Sequence, residues 1–134
     1  MGTWSGEPFG NDVAADFAWE LDDQKRWNVV RDALREALRS KDPLDADTAA
    51  IAIAAAEVVA HGLGRPTQSD VYTESVEGFV GRARKPSGRL VRDAERAVTV
   101  AASPDGELAE LWAESDAQGW HDSNARLVSA LTGR

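Results

Sequence analysis

The chain has 134 residues, a net charge of −8 at pH 7 and no cysteine. This length predicts a single domain over residues 1–134 that buries a core without disulfides, and the absence of cysteine suits a reducing compartment. The negative charge disfavours binding to nucleic acid or anionic lipid, and no apolar run is long enough to span a membrane. We therefore expect a cytoplasmic protein without a cofactor, whose partner is a basic or neutral protein.

Helical periodicity runs through the whole chain, and no segment alternates as a strand does. The pattern predicts an all-α fold: a compact single-domain bundle of about six to seven helices with an ordered Gly/Trp-rich N-terminal leader. Asn11 or Asp12 is expected to cap the first helix, which ends near Leu21. Asp22 and Asp23 are expected to cap the second.

Four or five further helices are predicted after Pro43. The third helix is apolar nearly all round, so it should lie at the centre of the bundle. A weaker fourth helix covers about residues 70–84, and a fifth follows it. Pro104 is expected in the first turn of a sixth helix, with Leu111 facing inward. The apolar stripe then changes face, which predicts a bend or break at Gly119.

Glu57 interrupts the apolar third helix. A buried carboxylate is costly unless it is paired or fully hydrogen-bonded, so donors must reach it. The leader offers them, because glycines let backbone N–H groups converge on an anion and Trp4 adds an indole N–H. We predict that the leader folds onto the central helix and donates to Glu57, with Trp4 and Asn11 as further buried polar groups. The leader glycines are Gly2, Gly6 and Gly10.

Two pairs of side chains lie one helical turn apart and suggest a divalent-metal site. Asp12 and Asp16 share one helix face, and Glu57 and His61 share another, so together they offer four oxygen or nitrogen ligands. Structural roles explain the same residues, since acids stabilise helix N-termini and cations stabilise C-termini. The chain has no Walker loop, dinucleotide-binding glycine pattern or HExxH motif, so no catalytic residue is assigned.

Charge is unevenly distributed over the first 41 residues. Residues 1–23 contain six acids and no Lys or Arg, whereas residues 24–41 are mostly basic. The two segments could pair with each other within the fold. Alternatively the acids form an interaction surface, because Trp19 lies off the apolar face of the first helix and aromatic residues are enriched at interfaces. That surface comprises Asp12, Asp16, Trp19, Glu20 and Asp23.

The segment GRARKPSGRLVR is strongly basic and contains no acid. Single-stranded nucleic acid is usually held by basic grooves with aromatic side chains on which bases stack, and no aromatic residue lies within this segment. Pairing with acidic helices, or simple solvation, accounts for it better. Its cations are Arg82, Arg84, Lys85, Arg89 and Arg92.

Three blocks of sequence have specific motifs. They are G-T-W-x-x-x-P-F-x-N-D-x-A-x-D-F from Gly2, A-A-A-E-V-V-A from Ala54 with G-R-P at Gly64, and E-L-W-x-E from Glu110. Together they resemble a widespread bacterial family catalogued as domain of unknown function 4259, over nearly the whole chain. The resemblance implies a small bacterial protein without an assigned activity.

The sequence leaves three hypotheses for function. The first is a non-enzymatic protein-interaction module of the accessory or immunity kind, in which the leader serves as a structural lid. The alternative is a divalent-metal or small-ligand binding protein or enzyme that uses Asp12, Asp16, Glu57 and His61. The third is a structural subunit or homodimer.

Overall fold

The computed structural model of the protein describes residues 3–133, and Met1, Gly2 and Arg134 lie outside that range. Seven α-helices form over the described residues, which confirms the all-α prediction. No helix in this range is long and apolar enough to cross a membrane. A short 3₁₀ helix precedes α4. The helices are α1 (Asp12–Glu20), α2 (Asn28–Arg39), α3 (Ala46–Gly62), α4 (Glu74–Arg82), α5 (Gly88–Ala101), α6 (Glu107–Ala113) and α7 (Ala117–Thr132), and the 3₁₀ helix covers Val71–Thr73.

Helix α3 forms the centre of the bundle, as its all-round apolar pattern predicts. Every residue from position 52 to 61 is buried. Helices α2 and α5 pack most extensively along it, and α1, α4, α6 and α7 also contact it. Asp45 caps its N-terminus, where the carboxylate accepts the Thr48 backbone N–H at 2.7 Å. That hydrogen bond lowers the pKa of Asp45 below its usual value, because it favours the charged form.

Helix α2 begins later than predicted. Asp22 and Asp23 lie in the turn after α1 and do not cap α2, which starts at Asn28 behind Trp27. The indole N–H of Trp27 donates to the Arg84 carbonyl oxygen at 2.7 Å. This contact joins two turns that are distant in sequence, so helical periodicity alone could not place the start of α2.

Arg82 connects α4 to the turn between α1 and α2. Its guanidinium donates to the backbone carbonyl oxygens of Leu21 at 2.9 Å, Asp22 at 3.0 Å and Gln24 at 3.1 Å. Carbonyl groups at and beyond a helix C-terminus lack intrahelical partners, and a planar guanidinium can satisfy several of them together. The first cation of the basic segment therefore has a structural role.

Replacing Arg82 by alanine should lower the free energy of unfolding by about 1–2 kcal/mol, because three carbonyl groups lose a charged donor. Urea denaturation measures the change. Arg84→Ala is the matched control, since Arg84 is exposed and its side chain makes no hydrogen bond within residues 3–133; it should shift stability by less than about 0.5 kcal/mol. Equal losses in the two variants would contradict the structural role of Arg82.

The C-terminal helices differ from prediction at two points. Pro104 precedes α6 instead of opening it. Helix α7 is continuous, and Gly119 lies in its first turn, where its N–H donates to the Asp116 carboxylate at 3.0 Å. The predicted break at Gly119 is therefore wrong. The change of apolar face marks the boundary between α6 and α7 instead.

Residues 3–11, called the leader loop below, close on themselves in front of α1. Thr3 and Asn11 form an antiparallel bridge. The Gly10 carbonyl oxygen accepts N–H groups from Trp4 at 2.9 Å and Ser5 at 3.2 Å. A Cβ atom at residue 10 would lie 2.5 Å from the Ser5 carbonyl oxygen, so only glycine fits there without backbone movement.

The leader loop packs against the bundle at Phe9 and at Gly6, and its last residue caps α1. Phe9 is fully buried in the core. A Cβ atom on Gly6 would lie 3.1 Å from the Trp120 Cα, so the loop backbone passes directly over the start of α7. Asn11 is the N-cap of α1, and its side-chain oxygen accepts the Ala14 N–H at 2.8 Å. Asn11 is half-buried and has this defined hydrogen-bond partner.

Candidate functional site

The outer face of α1 presents an aromatic side chain among acids. Trp19 is 69% exposed, and Asp12, Asp16 and Glu20 are exposed beside it in the same helix. Asp23 is exposed as well, but it lies beyond the end of α1. Since this helix buries only Ala14, Phe17 and Ala18, its outer face is free of packing contacts with the core.

The acids of the leader loop and α1 are not neutralised by the basic residues that follow them. Among the described residues, the ion pairs between acids and Lys or Arg are Arg31–Asp32 at 3.2 Å and Arg39–Glu36 at 2.9 Å, and His61 lies 3.1 Å from the Glu57 carboxylate within α3. The predicted pairing between residues 1–23 and 24–41 is therefore wrong over this range. Both segments direct their charges to solvent.

Glu57 is fully buried and fully hydrogen-bonded. One carboxylate oxygen accepts the backbone N–H groups of Thr67 at 2.8 Å and Gln68 at 2.9 Å, and the other accepts the Thr67 hydroxyl at 2.6 Å. His61 Nε2 lies 3.1 Å from the same carboxylate and 2.9 Å from the Gln68 carbonyl oxygen. Because both neighbours of Nε2 are acceptors, that nitrogen carries the proton.

The leader loop does not supply these donors, so that prediction is wrong. The chain reverses at Gly64, whose φ of +75° suits glycine, and brings Thr67 and Gln68 back over α3. The leader loop contacts Glu57 only indirectly, through Gln68. The Phe9 N–H donates to the Gln68 side-chain oxygen at 2.8 Å. Trp4 is 45% exposed and its ring packs against Tyr72 at 5.2 Å, so it is not the predicted buried donor.

The predicted four-ligand metal site does not form. Asp12 and Asp16 are exposed on α1, whereas Glu57 and His61 are buried within α3. No group of three or more His, Asp or Glu side chains over residues 3–133 is arranged to hold a metal ion. With its oxygens taken by the 67–68 segment and His61, Glu57 fixes the fold of that segment and presents no free carboxylate to a ligand.

A groove runs between the leader loop and α6. Its inner part, about 240 Å³, lies between the leader loop, the start of α3 and α6. Its outer part, about 540 Å³, opens between Trp4 and α6. We call the two parts together the leader groove. Both parts are lined by Thr3, Ser5, Leu108, Leu111 and Trp112. The inner part is also lined by Ile53 and Trp120.

Sequence reasoning missed the leader groove, because it placed Leu111 inside the core. Leu111 is 52% exposed and Trp112 is half-buried. The seven residues of α6 leave no residue fully buried, so this short helix rests on the bundle without entering it. In the sequence, only Gly6 and the Leu111–Trp112 pair could have indicated the groove. Neither shows by itself that the leader loop faces α6.

Over residues 3–133, six helices around an alanine-rich central helix, with a closed N-terminal loop that forms one wall of a groove, define a small all-α bundle protein. The match that identifies it is a family model described as Domain of unknown function (DUF4259), which covers residues 2–123. The chain belongs to this family, and the predicted resemblance to it is confirmed. Searches of curated proteins and of solved structures gave no match.

Proposed function

We propose that this protein is a non-enzymatic interaction module that binds a basic protein partner through the outer face of α1. The proposed surface comprises Asp12, Asp16, Trp19, Glu20 and Asp23. The observation that carries the proposal is the 69% exposure of Trp19 among acids that make no ion pair in the described chain. An acidic surface of this kind is what an accessory or immunity protein would offer to a positively charged target.

The physical chemistry of the surface favours a hetero-partner. An exposed indole buries a large apolar area on binding at little entropic cost, and tryptophan is among the residues that most often dominate interface energies. The surrounding acids steer a basic partner toward it and raise the association rate. In a two-fold symmetric homodimer through the same face, the acids of one copy would meet those of the other, which costs free energy.

Reversing charge at Asp16 and Glu20 should abolish partner capture. The double variant Asp16→Lys/Glu20→Lys replaces attraction by repulsion at two positions that flank Trp19. The wild-type protein and the variant would be immobilised, exposed to lysate of the organism that encodes them, and compared by quantitative mass spectrometry. A protein that wild type retains would then be produced recombinantly and its affinity measured by calorimetry, where we expect at least about a hundredfold loss for the variant.

The matched control changes the net charge equally at other exposed positions. Asp42→Lys/Asp105→Lys adds the same four charge units away from α1, at two exposed loop residues. It should retain the partner with an affinity close to that of wild type. If the control loses the partner as completely as the α1 variant does, net charge and not this surface governs binding, and the proposed surface is wrong.

A further inference from the structure

We propose that the leader groove is a second contact site for the same partner, and that it binds a segment in which an apolar side chain lies close to an arginine or lysine. The inference rests on the proposed function for the existence of a protein partner. It depends on different side chains, because only Asp12 belongs both to the α1 surface and to the lining of the groove.

The outer part of the groove continues into an exposed apolar strip. Most of the large apolar side chains that are exposed in residues 3–133 lie here: Leu111 at 52%, Trp4 at 45%, Tyr72 at 47% and Val71 at 70%. Trp4 connects them, because it lines the groove together with Leu111 and its ring packs 5.2 Å from that of Tyr72. Contiguous exposed apolar surface of this kind marks interaction sites, so an apolar side chain of the partner fits the outer part.

The inner part of the groove is acidic. Glu7, Asp12 and Asp47 line it, and among residues 3–133 no Lys, Arg or His lines either part. The N-termini of α1 and α3 also face this region and favour anions. However, each helix N-terminus carries only about +0.5 of an elementary charge, against a full negative charge on each acid. The three acids and the two helix N-termini together give the inner part a net charge of about −2, so it favours a cation.

The dimensions of the inner part of the groove favour a single side chain over a larger ligand. An inner volume of about 240 Å³ lies below the range of roughly 300–1,000 Å³ that drug-sized ligands occupy. A long basic side chain has an apolar stem that suits Leu108 and the Trp112 indole, which stacks at 6.4 Å on Trp120, and a charged end that suits the acids. The outer part then accommodates the neighbouring apolar residue.

The test uses the full chain and a defined peptide. The peptide Ac-Gly-Leu-Gly-Arg-Gly-amide would be titrated into ¹⁵N-labelled protein at low ionic strength, with the five tryptophan indole N–H signals as probes. Each signal is assigned by a Trp→Phe substitution. The signals of Trp4, Trp112 and Trp120 should move. That of Trp27 should not, because Trp27 lies outside the groove and its N–H is bonded to the Arg84 carbonyl oxygen, and that of Trp19 reports separately on the α1 surface.

Two comparisons test the choice of a cation. A peptide with citrulline in place of arginine keeps the shape and loses the charge, and it should bind about three- to tenfold more weakly. Asp47→Asn should roughly halve that difference, because it removes one of the about two net negative charges, whereas Asp42→Asn, a neighbouring exposed acid outside the groove, should leave it unchanged.

The outcomes separate this proposal from the proposed function. Equal binding of the arginine and citrulline peptides, or no movement of the Trp4, Trp112 and Trp120 signals at millimolar peptide, would overturn the groove as a cation site. Movement of the Trp19 signal alone would also overturn it while supporting the α1 surface. Movement of the groove signals, together with loss of partner binding in Asp47→Asn but not in Asp16→Lys/Glu20→Lys, would retain the groove and reject the α1 surface.

Discussion

Replacing Glu57 by alanine is expected to lower the free energy of unfolding by about 3–5 kcal/mol, because each buried donor left without an acceptor costs about 1–3 kcal/mol. The substitution leaves the N–H groups of Thr67 and Gln68 and the Thr67 hydroxyl without their acceptor, while His61 Nε2 keeps only the Gln68 carbonyl oxygen. Domains of this size are stable by only about 5–15 kcal/mol, so the variant should unfold at markedly lower urea concentration.

Glu57→Gln separates the loss of shape from the loss of charge. Its side-chain oxygen can still face the two backbone N–H groups, and its amide can donate to the Thr67 hydroxyl, so we expect a smaller loss of about 1–3 kcal/mol. Glu110→Gln, at an exposed position on α6, is the control and should be nearly neutral. If Glu57→Ala were no more destabilising than the control, the carboxylate would not hold the 67–68 segment in place.

The position of Glu57 in the fold was predictable, and the identity of its partners was not. A helix that is apolar on all sides must be surrounded, so burial of its one carboxylate follows from the local pattern. The partners depend on the reversal at Gly64, which returns Thr67 and Gln68 to the helix they have just left. The glycines and Trp4 of the leader offer N–H groups and favour it as the donor, but the sequence does not indicate which segment packs against Glu57.

The same limit applies to the two candidate surfaces. The exposure of Trp19 follows from one helix and its period, and the structure leaves that side chain in solvent. The leader groove needs the leader loop, α3 and α6 to come together, and Leu111 has the spacing of a core residue although it lies at the surface. Features that one helix determines could be read from the sequence, whereas a groove between three segments could not.

Replacing Phe9 by alanine is expected to cost about 3–5 kcal/mol of stability, because this fully buried aromatic side chain is the anchor of the leader loop in the core. The leader loop should open at a lower free-energy cost than the rest of the bundle. In hydrogen exchange, the N–H groups of Trp4 and Ser5, which donate to Gly10, and that of Phe9, which donates to Gln68, should lose protection before α3 does.

Trp4→Ala is the matched control for Phe9→Ala, since it removes an aromatic side chain from the same loop at a position that is 45% exposed. Its contact with Tyr72 is worth about 1 kcal/mol, so the loss of stability should be near that value and the leader loop should stay protected. Similar losses in the two variants would mean that the exposed aromatic contact holds the loop as firmly as the buried anchor.

Because the loop forms one wall of the leader groove, Phe9→Ala should also weaken the response of the Trp112 indole signal to the arginine peptide, while Trp19 and the α1 surface remain unchanged.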